Sequence, residues 1–343
     1  MKQVALIGLG MVAPTFVAAL ADLERGGVAR LRGVHARNAE RRRAFVERHD
    51  TDLIDYATIE DIALDEDVDF AILATPPDAR LEAIEILARA GKPVLMEKPV
   101  ERTVAAAEKL CRICEEAGVP LGIVLQHRMR PAVIAMRDAI RKDDLGPLAS
   151  FEISVPWWRP QSYYDEPGRG TYRRDGGGVM ISQAIHVLDL GLSFLAPVAS
   201  VIAMSETTAL HRMEGEDFVV AGLRLTDGTI GSFFATTAAF SGRGEQIHLH
   251  FARGTVALEG NRFTIERHDG TSQSHGELAA TGSGANPMAF THEWHRAVIA
   301  DFAEAITAGR KPAVDGRQAL VVHRVIEAIE HSARVGQRIS LTA

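Results

Sequence analysis

The chain has 343 residues, 46% of them hydrophobic and 24% charged, which is the balance of a globular protein long enough for two domains. Its net charge of −7, without a basic stripe, excludes the usual nucleic-acid binders, and no apolar run is long enough to span a membrane. Two cysteines and no signal-peptide cleavage pattern predict a cytoplasmic protein without a disulfide scaffold.

The first part of the chain alternates strand and helix patterns, which is typical of a parallel α/β sheet. We expect strands at 4–7, 31–35, 68–74, 94–96 and 121–125, and helices near 12–23, 39–48, 80–90 and 104–117. This pattern predicts a Rossmann domain, a doubly wound parallel sheet, over residues 1–125.

After residue 150 the pattern changes to successive strands separated by turn signals. We expect strands at 149–155, 198–207, 218–225, 229–237, 246–251, 256–259 and 263–267, with helices at 179–193, 290–308 and 317–334. Residues 270–287 are polar and glycine-rich, which predicts a long loop.

The predicted fold is therefore α/β plus α+β. Its second domain, residues 126–343, is an open-faced, mostly antiparallel sheet with helices on one face, used for substrate binding and oligomerisation. The last helices are able to pack on the first domain. An exposed sheet face commonly becomes an interface, so we expect a homodimer or homotetramer.

Residues 7–13, IGLGMVA, form a G-x-G-x-x-A turn after a strand and before a helix. Gly8 permits the tight turn, and Gly10 lets the backbone approach a pyrophosphate at the helix N-terminus, where Met11 and Val12 lie. This motif predicts dinucleotide binding.

The end of the second strand has no acidic residue to hold a ribose 2′-hydroxyl. It has Arg37 instead, followed by the arginine run 41–43. A guanidinium binds a 2′-phosphate with charge-assisted hydrogen bonds, so we predict NADP with Arg37 as its main contact, NAD being the alternative. Two of the three arginines in the run are interpreted as a solvated helix face.

Four further motifs together resemble the glucose–fructose oxidoreductase / inositol dehydrogenase / MocA family over nearly the whole chain. They are ATPPDAR at 74–80, EKP at 97–99, WWRPQSYYDEPGRGTY at 157–172 and GGGVMISQAIHVLDL at 176–190. The resemblance implies that Lys98 hydrogen-bonds the reacting oxygen beside the nicotinamide, that Glu97 contacts the cofactor ribose, and that the peptide before Pro99 is cis. It places Thr75 and Pro76 in the cofactor site as well.

Ser182, His186 and Asp189 follow the glycine run 176–178 at helical spacing, so they are expected to share a face. Imidazole suits proton abstraction near neutral pH, and His186 matches the base of the family, with Asp189 as its orienter or a substrate contact. Inositol dehydrogenase-like members carry aspartate where this chain has Ser182, which argues against inositol as the substrate.

Other expected substrate contacts are Arg128, which follows the sixth strand beside His127, and Tyr164 and Arg169 in the aromatic segment. Arg159 is an alternative to Arg169 for holding a carboxylate. The predicted activity is hydride transfer between the nicotinamide and a secondary hydroxyl or ketone of a sugar, sugar acid or polyol. The alternatives are a non-catalytic nucleotide-sensing regulator and a glycoside hydrolase that uses bound NAD.

No metal site is predicted. The Cys111/Cys114 pair lies inside a helical pattern and is interpreted as two buried small side chains. His292 and His295 are one residue short of the zinc-protease spacing, and His248 and His250 share a strand face without an evident third ligand.

Overall fold

The computed structural model describes residues 1–49, 52–278 and 282–341. The chain forms two compact units. The first contains residues 1–126 and 291–320, and the second contains residues 127–290 and those from 321 onward. None of the helices in the described part of the chain has both the length and the hydropathy of a membrane-spanning segment.

The sheet of the first unit is parallel, as predicted, in the order β3-β2-β1-β4-β5-β6. Its strands are β1 (Lys2–Ile7), β2 (Ala29–His35), β3 (Ile54–Asp55), β4 (Phe70–Leu73), β5 (Val94–Glu97) and β6 (Leu121–Val124). The edge strand β3 was not predicted because it is two exposed residues long and carries no periodic pattern.

Helices cover both faces of this sheet. They are α1 (Ala13–Arg25), α2 (Ala39–His49), α3 (Ile59–Leu64), α4 (Leu81–Arg89), α5 (Val104–Glu116) and a later helix, Glu293–Ala308. Phe302 of this later helix packs edge-on against Phe70 of β4, with the ring centroids 5.2 Å apart. The short helix α3 was also not predicted. Its signal was present, since Thr58 and Asp61 form a capping box at its start.

The second unit has a nine-stranded sheet in the order β14-β13-β12-β11-β7-β10-β9-β8-β15. Neighbouring strands are antiparallel except β7 and β10. The strands are β7 (Leu148–Pro156), β8 (Val198–Glu206), β9 (Phe218–Leu225), β10 (Ile230–Thr236), β11 (Gln246–Phe251), β12 (Gly254–Glu259), β13 (Arg262–Arg267), β14 (Ser272–Gly276) and β15 (Ile339–Ser340).

Strand β14 lies where a loop was predicted, at 270–287. All five of its residues are exposed and polar or glycine, so it has no hydrophobic alternation and is held by backbone pairing with β13. Residues 279–281 of the predicted loop lie outside the described residues.

The helices after β6 are α6 (Pro131–Lys142), α7 (Gln161–Tyr164), α8 (Ile185–Leu192), α9 (Glu293–Ala308) and α10 (Gly316–Val335). Helix α6 was not predicted, although Pro131 in its first turn is a helix-start signal. Helix α8 packs on the sheet, where a Cβ on Gly191 would lie 2.4 Å from the Ile153 side chain. The opposite face of the sheet is open and carries exposed apolar residues, including Ile202 and Met204.

Candidate active site

The turn after β1 contains the two glycines of the predicted fingerprint. Gly8 has φ +103°, and a Cβ there would lie 2.8 Å from the carbonyl carbon of Ala74, so only glycine fits. Its amide donates to the His35 carbonyl at 2.8 Å, which fixes the turn to the end of β2. A Cβ on Gly10 would meet nothing within 4 Å. The backbone at Gly10 is therefore open to the close approach of a pyrophosphate.

Helix α1 starts directly after this turn. Val12 is its N-cap residue and provides no side-chain cap, Met11 is exposed, and the first turn carries no acidic residue. The N-terminal amides of a helix and its dipole favour an anion at such a position. This end of α1 fits a phosphate group.

Thr75 and Pro76 follow β4 at the same edge of the sheet. The Thr75 hydroxyl oxygen is buried and has no hydrogen-bond partner among the described residues. The Thr75 carbonyl accepts from the Arg80 Nε at 3.0 Å, and the same guanidinium donates to the Pro99 carbonyl. Burial lowers the pKa of Arg80 to about 10, against the opposing effect of Glu97. Arg80, to which the sequence assigned no role, thus joins the loops after β4 and β5.

Glu97 is the last residue of β5, and Lys98 is the next. The buried Glu97 carboxylate accepts the Lys98 amide at 3.1 Å and lies 3.6 Å from His295 Nε2. The Lys98–Pro99 peptide is cis, as the resemblance implies. Lys98 is half-buried at the carboxyl edge of the sheet. Open parallel sheets commonly bind ligands at this edge, and Glu97 and Lys98 place two opposite charges there.

The arginines after β2 divide into two groups. Arg42 is buried, forms an ion pair with Asp55 and donates to the Ala36 carbonyl at 2.8 Å, so it holds α2 on the sheet. Arg37 is exposed. Arg41 lines a cleft beside Gly10 on the same unit. Sequence reasoning assigned no cofactor role to Arg41, because its distance from the glycine turn depends on how α2 packs.

In the second unit, a glycine turn precedes the helix of the predicted base. The Glu216 carboxylate accepts the amides of Gly178 and Met180 at 3.1 and 2.9 Å. A Cβ on Gly178 would lie 1.8 Å from the Glu216 carbonyl oxygen, so this glycine is required by packing. The turn is therefore anchored by a buried acid, and burial raises the pKa of Glu216.

The predicted single helix over 179–193 is a π-helical turn, Met180–Ala184, followed by α8. Ser182 lies in the π turn and is half-buried, whereas His186 and Asp189 are buried in α8. Asp189 accepts two hydrogen bonds from Arg128, at 2.7 Å from Nε and 2.6 Å from Nη2. Burial raises the pKa of Asp189, and the Arg128 charge opposes this shift. The structure thus brings together two of the predicted site residues as a bidentate ion pair.

The ring of His186 stacks on that of His127, with centroids 4.8 Å apart and 28° between the planes. His127 Nε2 lies 2.7 Å from Arg130 Nη2. Because arginine only donates, this imidazole nitrogen accepts and carries no proton. Arg130 is fully buried and pairs with Glu245 at 2.7 Å. Sequence reasoning missed Arg130 and Glu245, since their pairing is long-range.

The aromatic segment holds two predicted substrate contacts. Tyr164 is buried, and its hydroxyl forms a hydrogen bond with Thr237 Oγ1 at 2.6 Å. Arg169 pairs with Glu166 and lies over the ring of Tyr163, 4.4 Å from its centroid. Tyr163 is half-buried, and its hydroxyl accepts from Arg169 at 3.0 Å. Tyr163 thus presents a more accessible hydroxyl than the Tyr164 that the sequence singled out.

Arg159, the alternative carboxylate ligand, is also buried. Its guanidinium donates to the carbonyls of Trp158 and Gly282, both at 2.7 Å. These contacts hold the aromatic segment close to Gly282. Arg169 is therefore more exposed than Arg159.

The remaining cysteine and histidine motifs have packing or ion-pair partners. Burial raises the pKa of Cys111 to about 11 and that of Cys114 to about 12, so both are buried thiols, as predicted. His292 contacts Asp22 at 2.9 Å, and its hydrogen bond lowers the pKa of that carboxyl. His295 faces Glu97 instead, so the two histidines contact different carboxylates.

The chain belongs to the glucose–fructose oxidoreductase / inositol dehydrogenase / MocA family. Residues 2–124 match its model "Oxidoreductase family, NAD-binding Rossmann fold", and residues 133–257 match its C-terminal domain model. The predicted family and fold class are thereby confirmed.

Two curated relatives and one solved structure illustrate the similarity. The chain is 32% identical over 197 residues to a 1,5-anhydro-D-fructose reductase from Ensifer adhaerens, covering 56% of this chain and 57% of the reductase. It is 25% identical to a D-apiose dehydrogenase from Paraburkholderia graminis, over 80% of this chain and 74% of that one. The WlbA dehydrogenase of Bordetella pertussis, solved with NADH and UDP-GlcNAcA, is 28% identical with a TM-score of 0.83, covering 100% and 99% of the two chains.

Proposed function

We propose that this member of the family is an NAD(P)-dependent oxidoreductase that interconverts a secondary hydroxyl and a ketone on a sugar, sugar acid or polyol. The observation that carries the proposal is the placement of Lys98 and the Gly8–Gly10 turn at one edge of one parallel sheet. The reductase and dehydrogenase activities named for the two sugar-acting relatives support the substrate class.

The first unit fits a dinucleotide. The dinucleotide would be held by the open backbone at Gly10, by the uncapped start of α1 and by the Thr75 hydroxyl, which has no hydrogen-bond partner among the described residues. Glu97 would contact its ribose. When bound, the nicotinamide supplies the acceptor or donor of the hydride. The Lys98 ammonium donates a hydrogen bond to the substrate oxygen and stabilises its partial negative charge as the carbonyl forms.

We assign His186 as the base that takes the hydroxyl proton during oxidation and returns it during reduction. Arg128 and Ser182 are the proposed substrate contacts beside it, with Arg169 and Tyr163 in the aromatic segment. Asp189 positions Arg128 through their two hydrogen bonds. A fixed guanidinium suits a substrate with a carboxylate or several hydroxyls.

We propose NADP as the preferred cofactor. No acidic residue lies between β2 and α2, and Arg37 is exposed there with Arg41 in the adjacent cleft. Two guanidinium groups match a ribose 2′-phosphate, which a carboxylate would repel.

We also propose that the protein is a homo-oligomer. The open face of the nine-stranded sheet carries four exposed apolar side chains on adjacent strands: Ile202, Met204, Val220 and Ile230. Exposed apolar side chains gathered on one sheet face often mark an interface.

The function is tested with a panel of sugars, sugar acids and cyclic diols and both nicotinamide cofactors, read at the absorbance of the reduced nicotinamide. Turnover of at least one carbohydrate is expected. Lys98→Met should lower kcat on the order of 10²–10³-fold while cofactor binding persists. The control is Lys109→Met, an exposed lysine on α5. Unchanged turnover in the Lys98 variant would remove its catalytic role, and absence of NADPH fluorescence changes would remove the cofactor assignment.

A further inference from the structure

Two histidines and a glutamate lie side by side on the open face of the nine-stranded sheet. His248 and His250 alternate along β11 with Ile247 and Leu249, which are buried in the core. Glu152 of β7 stands directly opposite His248 in the strand pairing. The third residue, which the sequence did not reveal, therefore comes from a strand far away in the chain.

The spacing of these groups suits a metal ion. One ligand atom from each of the three residues lies within 4.8 Å of the other two. His250 Nε2 is 3.6 Å from Glu152 Oε1. Ligand atoms of a tetrahedral zinc ion with bonds of about 2.0 Å are about 3.3 Å apart, so this pair already has nearly the required separation. The exposed Glu152 side chain is able to make the remaining small adjustment.

A further contact orients one of the histidines. His250 Nδ1 lies 3.0 Å from the hydroxyl of Thr255 on β12. When Nδ1 donates to this hydroxyl, Nε2 presents its lone pair on the side of Glu152. Metal-binding histidines are typically held this way, by a hydrogen bond from the ring nitrogen that does not bind the metal.

We propose that Glu152, His248 and His250 bind one divalent transition-metal ion of the zinc class. Two imidazoles and a carboxylate are a ligand set that zinc accepts, with water in the fourth position. The ion would join β7 to β11 on the open face. Helix α8, with His186, packs on the opposite face against Ile153, so this site is separate from the proposed proton transfer.

The test uses the full-length protein after treatment with a chelator. Dialysis against Zn²⁺ and elemental analysis should give one tightly held zinc per chain, and calorimetry should give its affinity. His248→Gln and His250→Gln should each weaken binding more than about tenfold, whereas His268→Gln, at an exposed histidine, should not. Equal zinc affinity in all three variants and the parent would overturn the proposal.

A second measurement separates a built site from general surface binding. Bound Co²⁺ should give the intense visible absorption of a low-symmetry, four-coordinate ion, and Thr255→Val should weaken Co²⁺ binding by about tenfold through loss of the His250 orientation. A spectrum equal to that of aqueous Co²⁺ would contradict the site. Circular dichroism of the metal-free variants checks that each of them is folded.

Discussion

Arg128 and Asp189 form a bidentate ion pair in which the carboxylate is 2% exposed and the guanidinium 16% exposed. Removing one partner leaves a largely buried charge uncompensated. We expect Asp189→Leu to lower the free energy of unfolding by about 3–5 kcal/mol.

The double variant Arg128→Met/Asp189→Leu separates stability from function. It replaces both charges by apolar groups, so it should recover most of the stability. The KM of the double variant for substrate should be higher than that of the parent protein, because the proposed Arg128 contact is gone. Urea unfolding and steady-state kinetics provide the two readouts. A double variant as unstable as the single one would show that the pair does not act as a unit.

The two fingerprint glycines should respond differently to alanine. Gly8→Ala introduces a Cβ at φ +103° against the Ala74 backbone and should destabilise the protein by about 2–4 kcal/mol. Gly10→Ala meets no protein atom, so its stability should change little. The KM of Gly10→Ala for the cofactor should nevertheless rise by on the order of tenfold, a loss of about 1.4 kcal/mol. Normal cofactor affinity in Gly10→Ala would place the pyrophosphate elsewhere.

Arg37 should decide between the two nicotinamide cofactors. Arg37→Asp removes a charge-assisted hydrogen bond worth about 1.5–3 kcal/mol, so the KM for NADP⁺ should rise by about 10–100-fold while that for NAD⁺ falls. Arg43→Asp makes the same charge change at an exposed position of α2 and is the control. Equal effects of the two substitutions on KM would indicate general electrostatics instead of a specific phosphate contact.

The stacked rings of His127 and His186 predict that His186 acts as the base and that His127 positions it. His186→Asn should lower kcat by about 10²–10⁴-fold, since the base is lost. His127→Phe keeps a ring against His186 and should retain kcat within about tenfold, whereas His127→Ala frees His186 to move and should cost up to about 10²-fold. Similar kcat values for His127→Phe and His127→Ala would mean that the stack does not position the base.

Glu330 on α10 should make stability depend on pH. Burial raises its pKa to about 8, and the nearby Glu216 charge adds to the shift. Because the folded state keeps the proton while the unfolded chain releases it near 4.5, stability should fall as pH rises from about 5 to about 8, by more than about 1 kcal/mol. Glu330→Gln should remove most of this slope.

Glu24→Gln, at an exposed position on α1 and not among the charges that act on Glu330, is the control and should leave the slope unchanged. Urea unfolding across this pH range measures both variants. A parent protein whose stability is flat or rises with pH would contradict the shift.

The features that could be predicted from the amino-acid sequence depend on residues that are neighbours in the chain. The strand–helix alternation of the first unit is a local pattern, and it predicted the parallel sheet. The glycine spacing after β1 and the Glu97–Lys98–Pro99 triplet are local as well, and they indicate the edge of the sheet at which we propose that the cofactor binds. The elements that escaped prediction, such as β3 and β14, are exposed and carry no hydrophobic periodicity, so backbone pairing alone reveals them.

The pairing of polar groups that are distant in the chain became visible in the folded protein. Asp189 faces Arg128, Arg130 pairs with Glu245, and Glu152 joins His248, each from a different element of the second unit. Such pairs depend on strand register and helix packing, which bring distant segments together. The spacing of residues along the chain does not predict these pairs. A charged side chain is stable in the protein interior because an opposite charge compensates it, and that partner comes from a distant part of the sequence.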